Sequence, residues 1–158
     1  MTRICQLAFT AAIISMTALV APPGLCETPT AAPLSVKQML DAANAVVPRI
    51  TPAQAKEMIS KGNTLVLDVR DAPEVAQSGK VAGAVNVSRG MLEFVADPDS
   101  PFHDKNFARN KTVIIYCGSG ARAALAGKTL KDMGYANVYN DGGFKDWVNS
   151  GGAVEPGR

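Results

Sequence analysis

Val113-Ile114-Ile115-Tyr116-Cys117-Gly118-Ser119-Gly120-Ala121-Arg122-Ala123-Ala124 decides how this chain is read. A β-branched and aromatic run ends in a cysteine, passes through a loop of small residues, and enters an alanine-rich segment. The unbroken apolar run predicts a strand over residues 111–116 that is covered on both faces. The segment after it predicts a helix over 121–133, with Gly134 placed to end it. A thiol at such a junction faces loop N–H groups and the positive end of a helix, a setting that favours the thiolate and holds anions.

Working outward, Thr64–Asp68 repeats the pattern of a short strand buried on both sides, and Gly83–Val87 and Val138–Asn140 are further strands. Between them, helices are expected over 36–45 (capped by Ser35), from Thr51-Pro52 to near Gly62, and over 71–77, 90–95 and 144–149. Residues 97–104 form an irregular loop, and the tail after Gly151-Gly152 is loose. Strands alternating with helices predict an α/β fold: a small parallel sheet flanked by helices on both faces. Ligands of such sheets bind beyond the C-terminal strand ends, where Cys117 lies.

With 158 residues, 47% of them hydrophobic, one compact domain is expected. A net charge of +2 without a basic run gives no reason to expect a nucleic-acid partner. The N-terminus reads differently. Arg3 precedes an uncharged stretch, Ile4–Ala21, which ends in Pro22-Pro23-Gly24. This predicts a signal peptide over 1–26 and export, to the periplasm or beyond. Retention of the segment as a membrane anchor, and lipid attachment at Cys26, are the alternatives. Residues 27–50 then form a leader and an N-terminal helix, and 51–155 the folded domain.

Export removes Cys5, and removes Cys26 if cleavage follows it. Cys117 is then alone in an oxidising compartment, where structural cysteines pair. It is either buried and inert or exposed for a purpose; if Cys26 stays, a Cys26–Cys117 disulfide is a third reading. Gly118 and Gly120 leave the loop N–H groups open, Ser119 adds a hydroxyl, Ala121 opens the helix, and Arg122 supplies a permanent charge with a planar fork of donors. The single histidine, His103, reads as a solvated loop residue, and a Cys–His dyad would need it beside Cys117. No metal or organic cofactor is implied.

The stretch resembles the rhodanese family of sulfurtransferases, and the resemblance extends past the loop. Leu65-Val66-Leu67-Asp68-Val69-Arg70 is similar to that family's first motif and Gly79-Lys80-Val81-Ala82-Gly83-Ala84-Val85-Asn86-Val87 to its second. Gly142-Gly143-Phe144-Lys145-Asp146-Trp147 is similar to its C-terminal ending. Two departures are Lys80 and Ala82, where members often carry histidine and proline. The loop opening also looks like that of mercaptopyruvate sulfurtransferases, which continue with a small residue and threonine where this chain has Arg122.

The resemblance implies a rhodanese-like fold and ping-pong sulfur transfer. Cys117 would be the nucleophile and persulfide carrier, Gly118, Ser119, Gly120 and Ala121 the cradle, and Arg122 the anchor of a small anionic donor such as thiosulfate. Cyanide or a thiol, including a protein thiol, would be the acceptor. A non-catalytic persulfide- or thiol-binding module is the competing class. A cysteine phosphatase or arsenate reductase needs a wider ring, with five residues between cysteine and arginine, whereas four separate Cys117 from Arg122. Elsewhere, Asp68 and Arg70 are expected to brace the fold, and Trp147 and Phe144 to anchor the last helix. Arg89 is expected either at the surface or facing the pocket, and Met91, Leu92 and Phe94 either pack or line its mouth.

Overall fold

The computed structural model describes residues 32–157, so the expected signal segment, Cys5 and Cys26 lie outside the described residues. The central strand β4 (Thr112–Cys117) is buried from Val113 onward. It is flanked by β1 (Thr64–Asp68) and β5 (Asn137–Gly143), with β3 (Val85–Asn86) outside β1. This sheet runs β3-β1-β4-β5, and every pairing is parallel.

Alternation along β4 divides the core. Val113, Ile115 and Cys117 join Leu65, Leu67 and Val138 on one face, against Ala123, Ala126 and Leu130 of α5 (Ala121–Asp132) and Leu92 and Ala96 of α4 (Leu92–Ala96). Ile114 and Tyr116 face the other way, against Ala55 of α2 (Pro52–Ser60) and Phe144 and Trp147 of α6 (Phe144–Asn149). The sheet thus carries helices on both faces, as the continuous apolar runs required. α1 (Val36–Val46) lies on α5, where Gly127 admits Val47: a Cβ there would stand 2.7 Å from a Val47 methyl. Both early helices begin with reciprocal caps, Ser35 with Gln38 and Thr51 with Gln54.

The structure departs from expectation in three short segments. The strand expected over 83–87 holds only Val85–Asn86, and Lys80–Val81 forms a separate strand, β2. Its antiparallel partner is β6 (Val154–Glu155), in the tail expected to be loose. Glu155 fastens this pair, through Lys80 and the Gly83 N–H. The last strand of the main sheet continues to Gly143 because a register shift between Ile115 and Tyr116 keeps it paired to the end of β4. Among the described residues, no helix is long and apolar enough to cross a membrane.

Candidate functional site: a buried cysteine under a glycine arch

Because β4 alternates, Cys117 follows Ile115 onto the α5 face, and its sulfur lies where that helix starts. The chain turns through the exposed pair Gly118-Ser119 into Gly120, whose φ of +98° suits a residue without a Cβ. That turn aims the Gly120 N–H at Cys117 Sγ, 3.1 Å away. The Gly120 carbonyl accepts both the Ala124 N–H at 2.9 Å and Asn140 Nδ2 at 3.1 Å. Asn140 Oδ1 in turn accepts the Gly142 N–H at 2.9 Å, so one buried side chain ties β5 to the loop.

The structure corrects one expectation. A sulfur kept for chemistry was expected to be accessible, yet Cys117 is a free thiol only 1% exposed. That same alternation turns the side chain toward α5, and the Gly118–Gly120 arch closes over it at the strand end.

Arg122 stands in the first turn of α5 and is not vacant. Its Nη1 and Nη2 donate to the two oxygens of Glu74 at 2.6 and 2.8 Å, and Asp71 lies 3.6 Å away. The Arg122 hydrogen bond holds the Glu74 carboxyl down to about 2, although burial works against this. Arg122 is pushed up in return, first by Glu74, with charge on Cys117 and Asp71 adding to it. The guanidinium lies over Gly118, where a Cβ would meet Nη2 at 3.3 Å and Glu74 Oε1 at 3.8 Å. Beside it is a depression of about 220 Å³ bounded by Gly118, Glu74, Gln77, Phe144 and Lys145.

Sequence reasoning did not single out Glu74, although a signal was present. Asp71 and Glu74 have the spacing of a capping box, and Glu74 turns back to accept the Asp71 N–H at 3.1 Å. That places its carboxylate at the N-terminus of α3 (Ala72–Ser78), near the C-terminal end of the sheet. Asn140 sits in no recognisable motif and was missed as well.

The remaining candidates fall outside the arch. Asp68 and Arg70 are buried together, with Nη2 to Oδ2 at 2.6 Å, and Arg70 also donates to Ser78 and Gly79. Tyr116 Oη donates to Asp68 at 2.7 Å and accepts the Val81 N–H at 3.0 Å. This network braces the sheet face opposite to Cys117. Arg89 pairs with Glu93 and Thr129 beside the α1–α5 groove. Leu92 is buried, while Met91 and Phe94 are exposed. His103 places Nδ1 3.2 Å from the Val95 carbonyl, among Phe107, Arg109 and Tyr135. Behind the arch, Arg49 lies against Gly120 and Gly142 and reaches Asp146 at 3.8 Å.

Comparison with known proteins identifies the family. The model of the rhodanese-like domain matches residues 51–150. The chain is 34% identical over 110 residues to the thiosulfate sulfurtransferase GlpE of Actinobacillus succinogenes, a match covering 67% of this chain and 88% of that protein. It is 37% identical over 83 residues to the thiosulfate sulfurtransferase PspE of Escherichia coli, covering 51% and 70%. Among solved structures, the polysulfide-sulfur transferase homodimer of Wolinella succinogenes superposes with a TM-score of 0.62 at 31% identity, covering 76% of this chain and 86% of that one. A Rhodopseudomonas palustris protein of unknown function, described with a tyrosine phosphatase in view, gives a TM-score of 0.72 at 37% identity, covering 81% and 99%.

Proposed function

The chain belongs to the rhodanese-like domain family and is a sulfurtransferase, and we propose that Cys117 is the nucleophile that carries the sulfur. Its thiolate attacks the outer sulfur of a sulfane donor such as thiosulfate. The Sγ–S bond forms, the donor's S–S bond breaks, and sulfite leaves with the electron pair. The persulfide then gives its outer sulfur to cyanide or a thiol, which regenerates the thiolate. The supporting observation is the Gly120 N–H aimed at Sγ from 3.1 Å at the start of α5, a dipole that stabilises anionic sulfur before and after transfer. In this reading the remaining N–H groups of the Gly118–Ala121 loop are the donors for the added sulfur. With Sγ covered, uptake requires residues 118–119 to move aside.

The test is thiocyanate formation from thiosulfate and cyanide by wild type and Cys117→Ser. Activity in the first and its loss in the second is the expected result; equal background rates in both would remove the reading for that donor. The phosphatase reading draws on the Rhodopseudomonas palustris neighbour. It predicts Cys117-dependent turnover of an aryl phosphate, and the Cys117–Arg122 spacing is one residue too short for it.

The apolar stretch Ile4–Ala21 supports export of the mature protein with a cleaved signal. Intact mass of the protein recovered from the cell envelope tests this, and a full-length mass would overturn it.

A further inference from the structure

On the premise that Cys117 performs sulfur transfer, we infer that Glu74 selects donors by charge. By holding Arg122 it withholds that guanidinium from a dianion, so the site favours singly charged sulfane donors over thiosulfate. Three observations lead there. Arg122 is the cation carried by the helix that follows the arch, and both of its outer nitrogens are already engaged by Glu74, at 2.6 and 2.8 Å. Asp71 adds a second carboxylate 3.6 Å from the same guanidinium, so two negative side chains face one positive. The pair lies across Gly118, on the outer side of the loop that covers the sulfur.

A dianionic donor approaching Cys117 therefore meets a guanidinium that is already neutralised. It must either displace Glu74 or rely on the exposed Lys145 at the edge of the same depression. A singly charged donor, such as an organic persulfide or thiosulfonate, needs less compensation and is penalised less. The block is not relieved by ordinary pH changes, because the Glu74 carboxyl is held down at about 2.

Glu74→Gln is the discriminating variant. Glutamine keeps the shape and suits the same capping position, and with its Oε1 in the place of Glu74 Oε2 it still accepts from Arg122 Nη1 and from the Asp71 N–H. The charge is lost together with the second Arg122 hydrogen bond, where the amide nitrogen faces Nη2 donor to donor. That second loss is common to both donors, so the ratio of the two KM shifts reads the charge. The donors to compare are thiosulfate and methanethiosulfonate, which replaces one thiosulfate oxygen by a methyl group and carries one charge fewer. Coulomb energy is linear in ligand charge, so the thiosulfate KM should fall about tenfold and the methanethiosulfonate KM about threefold, with kcat little changed. Asp71→Asn should shift both donors in the same sense by less, and it provides the measurement if Glu74→Gln does not fold.

A rise in the thiosulfate KM, or equal changes for both donors, would overturn the inference and leave Glu74 as a positioning residue for Arg122. Wild type that takes up sulfur from neither donor would instead overturn the sulfurtransferase premise. Turnover of both donors with no charge-dependent shift in either variant overturns the Glu74 assignment alone.

Discussion

Asn140 fastens the arch from the neighbouring strand: its Nδ2 donates to the Gly120 carbonyl at 3.1 Å, while its Oδ1 accepts the Gly142 N–H at 2.9 Å. Gly120 is the residue whose own N–H rests on Cys117 Sγ, so the two contacts act in series on the sulfur's cover. Asn140→Ala leaves the Gly142 N–H buried without a partner, which costs about 1–3 kcal/mol in a urea unfolding measurement. It also releases the arch. Alkylation of Cys117 by iodoacetamide should therefore become faster in the folded variant, because local opening limits access to a sulfur this well covered. An unchanged alkylation rate would show that Asn140 does not hold the arch closed.

Gly120 itself tolerates no side chain. Its φ is +98°, and a Cβ would stand 2.9 Å from Arg49 Nη1 and 3.2 Å from Gly142 Cα. Gly120→Ala is expected to cost about 1–3 kcal/mol in thermal unfolding, from backbone strain together with the displaced arginine. The same shift turns the N–H away from Sγ, so sulfur uptake in a single turnover should slow by about tenfold to a hundredfold. A variant that is less stable yet takes up sulfur at the wild-type rate would separate the turn from the chemistry.

The parts of this site that sequence made legible share a cause: each is a local pattern. β1 and β4 are visible because a strand covered on both faces must be apolar throughout, and the arch is visible because glycines cluster where a strand meets a helix. β2 and β6 are two residues each, too short for any periodicity, and they exist because Glu155 reaches Lys80 and Gly83 across the chain. The Glu74–Arg122 pair joins residues 48 apart in sequence, and nothing in the loop announces its partner. The burial of Cys117 is different in kind. Both faces of β4 are core, so alternation gives Cys117 a face but not a depth; its burial comes from α5 and the Gly118–Gly120 turn closing over the strand end.

Tyr116 tests whether the opposite face is structural. Its hydroxyl accepts the Val81 N–H at 3.0 Å and donates to Asp68 at 2.7 Å, which ties β2, β4 and β1 together. Tyr116→Phe orphans a buried N–H and removes a donor from a buried carboxylate. The expected cost is about 1–3 kcal/mol of stability. Since Cys117 points to the other face, sulfur uptake by the folded variant should stay near wild type. A large loss of activity at temperatures where the variant is fully folded would place this network in the mechanism.

Asp141 yields the pH prediction. It is 3% exposed, and Oδ1 has no hydrogen-bond partner among the described residues. Burial, reinforced by Asp146, pushes its carboxyl up to about 6, with Arg49 and Lys56 opposing the shift. In the unfolded chain the same group titrates near 3.8. Between those two values the folded state holds a proton that the unfolded state has lost. This group therefore makes stability fall as pH rises through that window, and above it the folded protein carries the full penalty of an ionised, buried carboxylate. About two pH units of displacement correspond to about 3 kcal/mol. Asp141→Asn removes the charge, so the variant should exceed wild type in stability by up to about 3 kcal/mol near pH 8. Denaturant melts repeated towards about pH 4 should find that advantage shrinking as Asp141 takes up its proton in the folded wild type. An advantage that is constant with pH would mean that packing or hydrogen bonding of the amide, not ionisation, sets the difference.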